Sequence, residues 1–420
     1  MNCIFRTYGV MVVATLIMLL RCGMACAQTE GEAGMSDVDS VAVDSALLAA
    51  EVERDSLEVS LLTCKPGNVV YAMYGHSAIR VHDLTDGRDI VFNYGMFNYN
   101  EDNFVFKFVK GETDYLLGAE PADFFFMRYG DKGDGVSEQV LNITQDECHR
   151  IEELLIENAR PENRMYRYNW LYDNCTTRAR DLIESAIEGD VVYMASDRQW
   201  TARRLLRQFT NADLWVEFGE DLVLGAELDT VLSKRRQMFI PSIFASELDS
   251  AVIRRPGGMM IPMVRTTNQP VPEGHPQRVD ESRGPFLCFM GLFFMVAGFA
   301  LFEVNRRRTF KWLDVVLSFL QGAAGLLVAF LFFFSEQAGV DSNIMVLVFN
   351  PIALIWIPFY LKRKVKVPAY VTLAELVLWV CAIIAVRQIV SMPIILLAAS
   401  LLIRVIVNLA LNRYNIENKK

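Results

Sequence analysis

Two residue types that often supply catalysis and metal binding are scarce in this chain. It has four histidines and eight cysteines in 420 residues. No group of these residues has the spacing of a zinc site, and we expect no metal and no other cofactor. An excess of basic residues is also missing, because the net charge is −9. This acidic balance argues against a nucleic acid as partner.

Long hydrophobic runs are absent from most of the first two thirds of the chain and lie at its two ends. At the N-terminus, the apolar run from Tyr8 to Leu20 precedes Ala25-Cys26-Ala27, which fits a signal-peptidase site. We predict a cleaved signal peptide over residues 1–27, with an uncleaved anchor or lipidation of Cys26 as alternatives. The acidic and polar residues 28–58 are predicted to form a flexible lead-in.

At the other end of the chain, five apolar runs over residues 285–411 are predicted to cross a membrane as helices. Each run is close to the ~20 residues that a spanning helix needs. The predicted spans are Pro285–Phe302, Trp312–Phe334, Ile344–Tyr360, Tyr370–Val386 and Met392–Leu411.

The loops between these runs differ in charge. The loops at 306–311 and 362–366 are basic, whereas the loop at 335–341 is acidic. The positive-inside rule therefore predicts a cytoplasmic C-terminal tail (412–420) and an N-terminal domain on the outer side of the membrane. The spans also contain or adjoin Asp314, Glu336, Glu375 and Arg404, which either mark function or pair between helices.

Residues 59–252 read as one exported domain, followed by a Pro- and Gly-rich linker over residues 253–284. Residues 93–99 and 103–115 are aromatic and rich in strand formers, so most of them are predicted to belong to a sheet. A capping box at Thr144 predicts a helix that ends near Ala159. A final helix is predicted to begin near Met238.

A β-hairpin is predicted near the start of this domain. Residues 76–82 alternate as a strand does, and the strand-forming residues 90–94 return after a polar turn. A hairpin centred near Asp86-Gly87 would set Arg80 opposite Asn93. His76, Arg80 and Asn93 would then share one face, because strand side chains alternate with a period of two.

The stretch around Cys175 has the features of a nucleophile site. Asn174 is predicted to cap a helix whose first residue is Cys175. A cysteine in the first turn faces unpaired N–H groups and the positive end of the helix dipole, and both favour the thiolate. The same N–H groups could stabilise an oxyanion. The alternative is a small, buried, structural cysteine.

His76 is the best candidate for a base that would activate Cys175, and Asn93 is a candidate to orient its ring. Export places the domain in an oxidising compartment, where disulfides form. A Cys64–Cys148 disulfide would leave Cys175 free, although the sequence does not determine the pairing. The order of histidine before cysteine fits an α+β domain of the permuted papain-like (NlpC/P60-like) type, here followed by an all-α domain of five transmembrane helices.

Several motifs resemble the N-terminal periplasmic domain of the Lnb-type lipoprotein N-acyltransferases, in the same order along the chain. The helical C-terminal region is similar to the same architecture. The motifs are Gly75-His-Ser-Ala-Ile-Arg80, Asn93-Tyr-Gly-Met-Phe97, Phe104 to Gly111 with Tyr115, Tyr166-Arg-Tyr-Asn-Trp170 and Asp173-Asn-Cys-Thr-Thr-Arg178.

The resemblance implies that Cys175 carries an acyl group and that His76 is the base. It implies a phospholipid as acyl donor and the α-amino group of a diacylated lipoprotein as acceptor. Arg80 and Arg178 are candidates to bind lipid phosphate, with structural ion pairs as the alternative. Tyr94 and Asn174, which adjoin the predicted catalytic residues, are further substrate-binding candidates. The other hypotheses are a membrane-anchored cysteine amidase or peptidase that acts on cell-wall peptides, and a non-catalytic binding module.

Overall fold

The N-terminal domain is built on an antiparallel sheet. The computed structural model describes residues 57–67, 72–97, 102–195, 198–210, 213–274 and 284–417, so the predicted signal peptide and most of the predicted lead-in lie outside the described residues. The strands are β1 Leu57–Cys64, β2 His76–Asp83, β3 Asp89–Met96, β4 Asp114–Pro121, β5 Val136–Leu141, β6 Met165–Arg167, β7 Asp190–Val192, β8 Val252–Arg254, β9 Met260–Pro262 and β10 Val264–Val271. Seven of them form one sheet in the order β10-β5-β1-β2-β3-β4-β6, and β7, β8 and β9 form a small second sheet.

Helices cover this sheet. They are α1 Phe104–Lys110, α2 Ala122–Lys132, α3 Gln145–Ala159, α4 Cys175–Ala186, α5 Ala202–Thr210, α6 Leu214–Val223, α7 Lys234–Gln237 and α8 Pro241–Asp249. The predicted helix after Thr144 is confirmed, because Thr144 and Glu147 form the capping box of α3 and the helix ends at Ala159. Helix α8 begins three residues after the predicted start at Met238.

Strand β1 lies at the centre of the sheet, and its side chains are buried on both faces. On one face, Leu62 and Cys64 pack with Ala78 of β2 and Phe125 of α2. On the other face, α3 contacts β1 and α4 contacts β2. A strand that is covered on both faces needs apolar residues at consecutive positions, which explains the run Leu61-Leu62.

The predicted hairpin of β2 and β3 is present, but its register differs by two residues from the prediction. Arg80 lies opposite Val91 rather than Asn93. A shift of two residues preserves the face of each side chain, whereas a shift of one would reverse it. His76, Arg80 and Asn93 therefore alternate onto the same face of the hairpin, as predicted.

Two segments differ from the prediction in type. Residues 104–110, predicted to be in a sheet, form α1, which ends at Gly111 in a left-handed conformation. The predicted linker is shorter than residues 253–284, because β9 and β10 lie within it and β10 pairs with β5 at the edge of the main sheet. The Pro and Gly residues that suggested a linker occupy the turns and an edge strand, where the missing proline N–H is tolerated.

The C-terminal domain is helical. Its elements are α9 Gly284–Arg306, α10 Lys311–Phe334, a 3₁₀ turn Ile344–Leu347, α11 Ile352–Ile355, α12 Ile357–Leu361, α13 Lys366–Val386 and α14 Met392–Glu417. Four of these helices, α9, α10, α13 and α14, are long and apolar enough to cross a membrane. The fifth predicted span, Ile344–Tyr360, is present as a series of short helices rather than as one long helix. Pro351 and Pro358 lack the N–H that a continuous helix needs, and they stand at its breaks.

The broken segment nevertheless runs along α10 in the opposite direction. Near its start, Gln321 Nε2 donates to Val348 O at 2.8 Å. Further along, the Leu354 side chain packs on Gly322, and Lys311 Nζ donates to Leu361 O at 3.5 Å. The backbone groups that the breaks release are partly satisfied by the neighbouring helix, which is how broken helices persist in membranes.

The basic loops and the C-terminal helix meet at one end of this domain. Lys311 contacts Leu361 across the two loops, and the Arg307 guanidinium lies 4.8 Å from the ring centre of Tyr414. The opposite end faces the N-terminal domain. There, Gly225 N donates to Gly339 O at 2.7 Å and Ile389 N donates to Asp229 Oδ2 at 3.0 Å.

A buried ion cluster joins three of the membrane helices. Arg404 of α14 donates to Asp314 of α10 through Nε at 2.8 Å and through Nη2 at 3.0 Å. It also pairs with Glu303 of α9, and Asn408 Nδ2 donates to Asp314 at 3.0 Å. The sequence left two roles open for Asp314 and Arg404, a functional site or a pair between helices. In the structure they form an ion pair between helices.

Candidate active site

The loop before α4 places Cys175 at the first position of that helix. Asn174 Oδ1 accepts from the backbone N–H groups of Thr176 and Thr177 at 2.9 and 3.0 Å. Its amide nitrogen donates to Trp170 O at 2.7 Å and to Phe239 O at 2.9 Å. These four bonds use the whole hydrogen-bonding capacity of the side chain. Asn174 is therefore a helix cap with no group left for a substrate, contrary to the role predicted for it.

His76 and Asn93 come together at the end of the β2–β3 hairpin. His76 Nε2 donates to Asn93 Oδ1 at 2.5 Å, and Asn93 is buried. The imidazole also interacts with the Cys175 side chain, which raises the pKa of His76. Because Nε2 is occupied by Asn93, Nδ1 is the nitrogen that faces the thiol. The three residues form a Cys-His-Asn arrangement in which each group orients the next.

The electrostatics of this arrangement favour a reactive thiolate. Burial alone would raise the pKa of Cys175, but the charge and hydrogen bond of His76 outweigh it, with help from Ser77 N–H and Thr176, and lower the pKa to about 7. For His76, burial lowers the pKa, whereas Cys175 and Asn93 raise it above its ordinary value. A substantial fraction of the pair is therefore thiolate and imidazolium at neutral pH.

Gly95 leaves room beside this pair. Its φ is +92°, at a bulge where β3 pairs irregularly with β4. A Cβ atom built on Gly95 would lie 3.5 Å from Cys175 Cβ, 3.7 Å from His76 Cε1 and 3.8 Å from Tyr166 Oη. The missing side chain thus leaves room for a methyl group beside Cys175, His76 and the Tyr166 hydroxyl.

Tyr166 was not predicted as a site residue, although it lies in one of the motifs that carried the family resemblance. It belongs to the short edge strand β6, which pairs with β4. Nothing local in the sequence links it to Cys175, since the two residues meet only through the sheet and the loop before α4. A tyrosine in an aromatic motif is by its residue type an ordinary core residue.

Arg178 stacks its guanidinium on Tyr166, with the carbon of the guanidinium 3.7 Å from the ring centre. Asp173 holds it from the other side, with Arg178 Nε and Nη2 donating to the two carboxylate oxygens at 2.6 and 2.7 Å. The charge is therefore paired. The sequence left two roles open for Arg178, binding of lipid phosphate or a structural ion pair. In the structure Arg178 forms the ion pair.

Arg80 is likewise held in ion pairs. It donates to both carboxylate oxygens of Asp89 at 2.7 and 2.5 Å and to Glu138 at 2.7 Å. These bonds tie β2 to its neighbour β3 and, across β1, to β5. Four residues separate Arg80 from His76 along β2, about 13 Å at the rise of an extended strand. The structure therefore does not bring Arg80 to Cys175.

Tyr94, predicted to bind substrate, is buried beneath the site. Its hydroxyl accepts from Asn158 Nδ2 at 2.9 Å. The ring makes an edge-to-face contact with Tyr166, with ring centres 6.2 Å apart. Tyr94 therefore packs against Tyr166 and is not among the nearest neighbours of the space beside Gly95.

The hypothetical Cys64–Cys148 disulfide is absent, because both thiols are free and buried. Cys148 bonds to the backbone of Val59, whereas Cys64 is five residues further along β1. At ~3.3 Å per residue this separation is about 16 Å, more than twice the largest Cα distance that a disulfide spans. Burial raises the pKa of both thiols, that of Cys148 to about 11, so neither competes with Cys175 as a nucleophile.

A row of stacked aromatic rings runs from the site to α1. Tyr168 stacks on Tyr115 with ring centres 4.1 Å apart, Tyr115 on Phe97 at 5.0 Å, and Phe97 on Phe104 at 5.2 Å. Burial and, second, the charge of the Cys175 thiolate raise the pKa of Tyr115.

Helix α1, where the row ends, lies against the C-terminal end of the membrane helix α10. Phe106 and Phe330 have ring centres 5.7 Å apart, and Glu336 N donates to Lys110 O at 2.8 Å. An open apolar groove of about 640 Å³ lies between the two helices. Its apolar lining residues are Phe104, Val105, Phe106, Val109, Leu327 and Phe330.

Among the described residues, no group of three or more His, Cys, Asp or Glu side chains is arranged to hold a metal ion.

Comparison with protein-family models gives two matches. Residues 45–208 match the Lnb N-terminal periplasmic domain, and residues 278–415 match the Lnb transmembrane domain. Neither the curated proteins nor the solved structures contain a match. The two matched segments correspond to the sheet-based domain and the helical domain, and together they show that the chain belongs to the Lnb-type lipoprotein N-acyltransferase family.

Proposed function

We propose that the protein moves an acyl chain from a phospholipid to the N-terminal amine of a diacylated lipoprotein, through a thioester on Cys175. The observation that supports this most directly is the Cys175-His76-Asn93 arrangement, with a thiol pKa lowered to about 7. Family membership favours acyl transfer over other uses of such a triad.

The first half of the reaction forms the thioester. The Cys175 thiolate attacks the carbonyl carbon of a phospholipid ester, and the negative charge moves to the carbonyl oxygen. When the carbonyl re-forms, the bond to the glycerol oxygen breaks. The His76 imidazolium gives its proton to that oxygen, so a lysophospholipid leaves and His76 becomes neutral. Asn93 keeps the ring in the required orientation throughout.

The second half transfers the acyl group to nitrogen. The lipoprotein amine attacks the thioester carbon, and the neutral imidazole of His76 accepts a proton from that amine. The carbon–sulfur bond then breaks, which releases an amide and restores the thiolate and imidazolium. No further reactant is consumed, because the first half supplies the acyl group and the second half uses it.

A lipid donor is favoured over a soluble peptide by the position of the site. The aromatic row from Tyr168 to Phe104 leads from the nucleophile to α1, and α1 packs on the membrane helix α10. An acyl chain that leaves the bilayer along α10 would meet apolar side chains over this route. Holding the ester and the nucleophile at the same height lowers the entropic cost of their meeting.

In the proposed orientation, the sheet domain faces the periplasm and the C-terminus faces the cytoplasm. The basic loops and the C-terminal helix lie together at the end of the helical domain that is remote from the sheet domain. This grouping agrees with the positive-inside rule. Four long helices and one broken crossing make an odd number of passages, which puts the two termini of the domain on opposite sides.

The test is mass spectrometry of the full-length, membrane-extracted protein after incubation with phospholipid. We expect one acyl adduct on Cys175 that hydroxylamine removes, and a lysophospholipid in equal amount. Addition of a synthetic diacylated lipopeptide with a free amine should remove the adduct and give the triacylated product. Cys175→Ala should give neither adduct nor product.

Three results would contradict the proposal in different ways. An adduct that is lost to water but not to the lipopeptide would indicate a hydrolase. No adduct on a Cys175 that iodoacetamide alkylates rapidly would favour the amidase or peptidase. An unreactive Cys175 would leave a structural cysteine and a binding module.

A further inference from the structure

Tyr166 has a buried hydroxyl without a hydrogen-bond partner in the described part of the chain. Only 7% of the residue is exposed. A phenol buried in this way normally finds a partner, because leaving such a donor unpaired costs about 1–3 kcal/mol. This unpaired hydroxyl borders the space beside Gly95 that Cys175 and His76 also border.

A second donor near the same space is also unpaired. In the first turn of α4, the amides of Thr176 and Thr177 bond to Asn174 Oδ1, and Arg178 N bonds to Asn174 O. The Cys175 N–H has no partner among the described residues. It is one of the amides that a helix leaves free at its positive end.

The Cβ position that Gly95 leaves empty borders both the Tyr166 hydroxyl and the Cys175 side chain. It is 3.8 Å from Tyr166 Oη and 3.5 Å from Cys175 Cβ. A carbonyl oxygen would lie farther from Gly95 Cα than that point, in the region that the absent side chain leaves open beside the Tyr166 hydroxyl. An acyl group joined to Cys175 Sγ extends from the neighbouring atom, so its oxygen is within reach of this position.

The surroundings of Tyr166 suit a donor to a developing negative charge. The Arg178 guanidinium lies on the ring at 3.7 Å, and its positive charge withdraws electron density from the phenol. Burial and the Cys175 thiolate raise the pKa of Tyr166 while Arg178 lowers it, so the hydroxyl keeps its proton at neutral pH.

We propose that the Tyr166 hydroxyl and the Cys175 N–H form the oxyanion site, donating hydrogen bonds to the carbonyl oxygen of the ester as Cys175 adds to it. The proton of Tyr166 stays on the phenol oxygen throughout, so no atoms are exchanged. Arg178 is then a positioning residue, which fixes and polarises the ring. This inference rests on the Cys175 acyl chemistry of the proposed function, but it does not depend on whether the donor is a lipid.

The experiment compares two reactions of Cys175 in Tyr166→Phe, a variant that keeps the ring and its stacking. Acylation by p-nitrophenyl butyrate passes through an oxyanion, and its rate is read from the burst of p-nitrophenolate released by full-length, membrane-extracted protein. Alkylation by iodoacetamide displaces iodide at a saturated carbon and forms no oxyanion. We expect acylation to slow by about 10²–10³-fold while alkylation keeps the wild-type rate and pH profile.

Tyr193→Phe is the matched control, because its hydroxyl bonds to Glu184 at 2.7 Å, in a bond that does not involve Cys175. It should leave both rates unchanged. Acylation of Tyr166→Phe at the wild-type rate would overturn the proposal. An equal loss of acylation and alkylation would also overturn it, since a structural role affects both reactions.

The outcomes for the two proposals are separable. A fast ester burst in the wild type that slows in Tyr166→Phe, together with no adduct from phospholipid, would support the oxyanion site and reject the lipid donor. A phospholipid adduct of equal rate in both proteins would reject the oxyanion role and leave the proposed function intact.

Discussion

The two domains each contain a buried polar cluster, and the clusters differ in how many of their donors are paired. In the membrane domain, every guanidinium nitrogen of Arg404 donates to Glu303 or Asp314. In the sheet domain, the Tyr166 hydroxyl borders the Gly95 space without a partner in the described chain. Burial alone therefore does not separate a structural cluster from a reactive one.

This difference indicates in which buried cluster a reaction is expected. A structural cluster gains by pairing its donors, because each unpaired buried donor costs about 1–3 kcal/mol. A reactive cluster must leave donors free for charge that exists only during the reaction, and it bears that cost in the resting state. Substitutions in the sheet-domain cluster should therefore change rates, whereas substitutions in the membrane cluster should change stability.

The largest effect is expected from Cys175→Ala, which removes the nucleophile. Transfer from phospholipid should fall by about 10⁴-fold or more, because no other thiol in the site can form the thioester. The thermal unfolding midpoint should stay near that of the wild type, since the cysteine is small and only half-buried. Product formation is measured by mass spectrometry of the lipopeptide.

Cys148→Ala is the matched control for the nucleophile. This thiol is buried and its pKa is raised to about 11, so its removal should leave the transfer rate unchanged. Full activity in Cys175→Ala would place the chemistry elsewhere and remove the contrast between the two clusters.

His76→Ala should give the second largest effect, a loss of about 10²–10⁴-fold in transfer. The pKa of Cys175 is about 7 because His76 outweighs burial. Without the imidazole, burial remains and the pKa rises, so the thiolate fraction at pH 7 falls. The midpoint of the iodoacetamide rate against pH should move from about 7 to a higher value.

His82→Ala is the control for this change, as it removes the other histidine of strand β2. Its alkylation profile should coincide with that of the wild type. An unchanged midpoint in His76→Ala would show that the helix terminus, rather than the imidazole, lowers the thiol pKa.

Arg404→Leu tests the membrane cluster. It would leave the buried carboxylates of Glu303 and Asp314 without their cation, which costs about 3–5 kcal/mol in comparable buried pairs. We expect a lower unfolding midpoint in detergent. The fraction that remains folded should alkylate Cys175 at the wild-type rate, because the cluster lies at the far end of the helices.

The exposed Arg308→Leu is the control, and it should change the free energy of unfolding by less than about 0.5 kcal/mol. A wild-type midpoint in Arg404→Leu would mean that the ion cluster is not structural. Slower chemistry at unchanged stability would make the two clusters alike.

Asn93→Ala should give the smallest effect, a loss of about 10- to 100-fold in transfer, equivalent to the 1.5–3 kcal/mol of a hydrogen bond to a charged group. Asn93 helps to raise the pKa of His76, so the imidazolium should lose its proton at a lower pH in the variant. The high-pH limb of the profile of transfer rate against pH should therefore shift to lower pH. Asn163→Ala, which removes an exposed asparagine, should leave the profile unchanged.

Local patterns in the sequence predicted the parts of the site that depend on local structure. The Asn174 cap and the helical start at Cys175 follow from residue preferences within one turn. The shared face of His76 and Asn93 followed from strand alternation, although the partner of Arg80 was off by two residues. An even error in register does not change the face, so the site prediction was insensitive to it.

Features that depend on distant neighbours were not predictable in the same way. The segment Ile344–Tyr360 is as apolar as a spanning helix, but its prolines interrupt the helix. Contacts with α10 supply hydrogen bonds to part of the interrupted backbone. Strand β10 looked like linker because an edge strand needs few apolar residues. Arg80 and Arg178 were candidates for phosphate binding until the structure placed carboxylates beside them.

The sequence by itself determined the membrane region and the helix that begins at Cys175, and it singled out His76 as the candidate base. Each of these depends on residue type or on spacing within one element. Only the tertiary structure brought Tyr166, Gly95 and Cys175 around one space and gave Arg178 its place on the Tyr166 ring. The physical reason is that hydrogen-bond partners of buried groups come from strands and loops far apart in the chain, so a donor left unpaired is recognisable only when all its neighbours are in place.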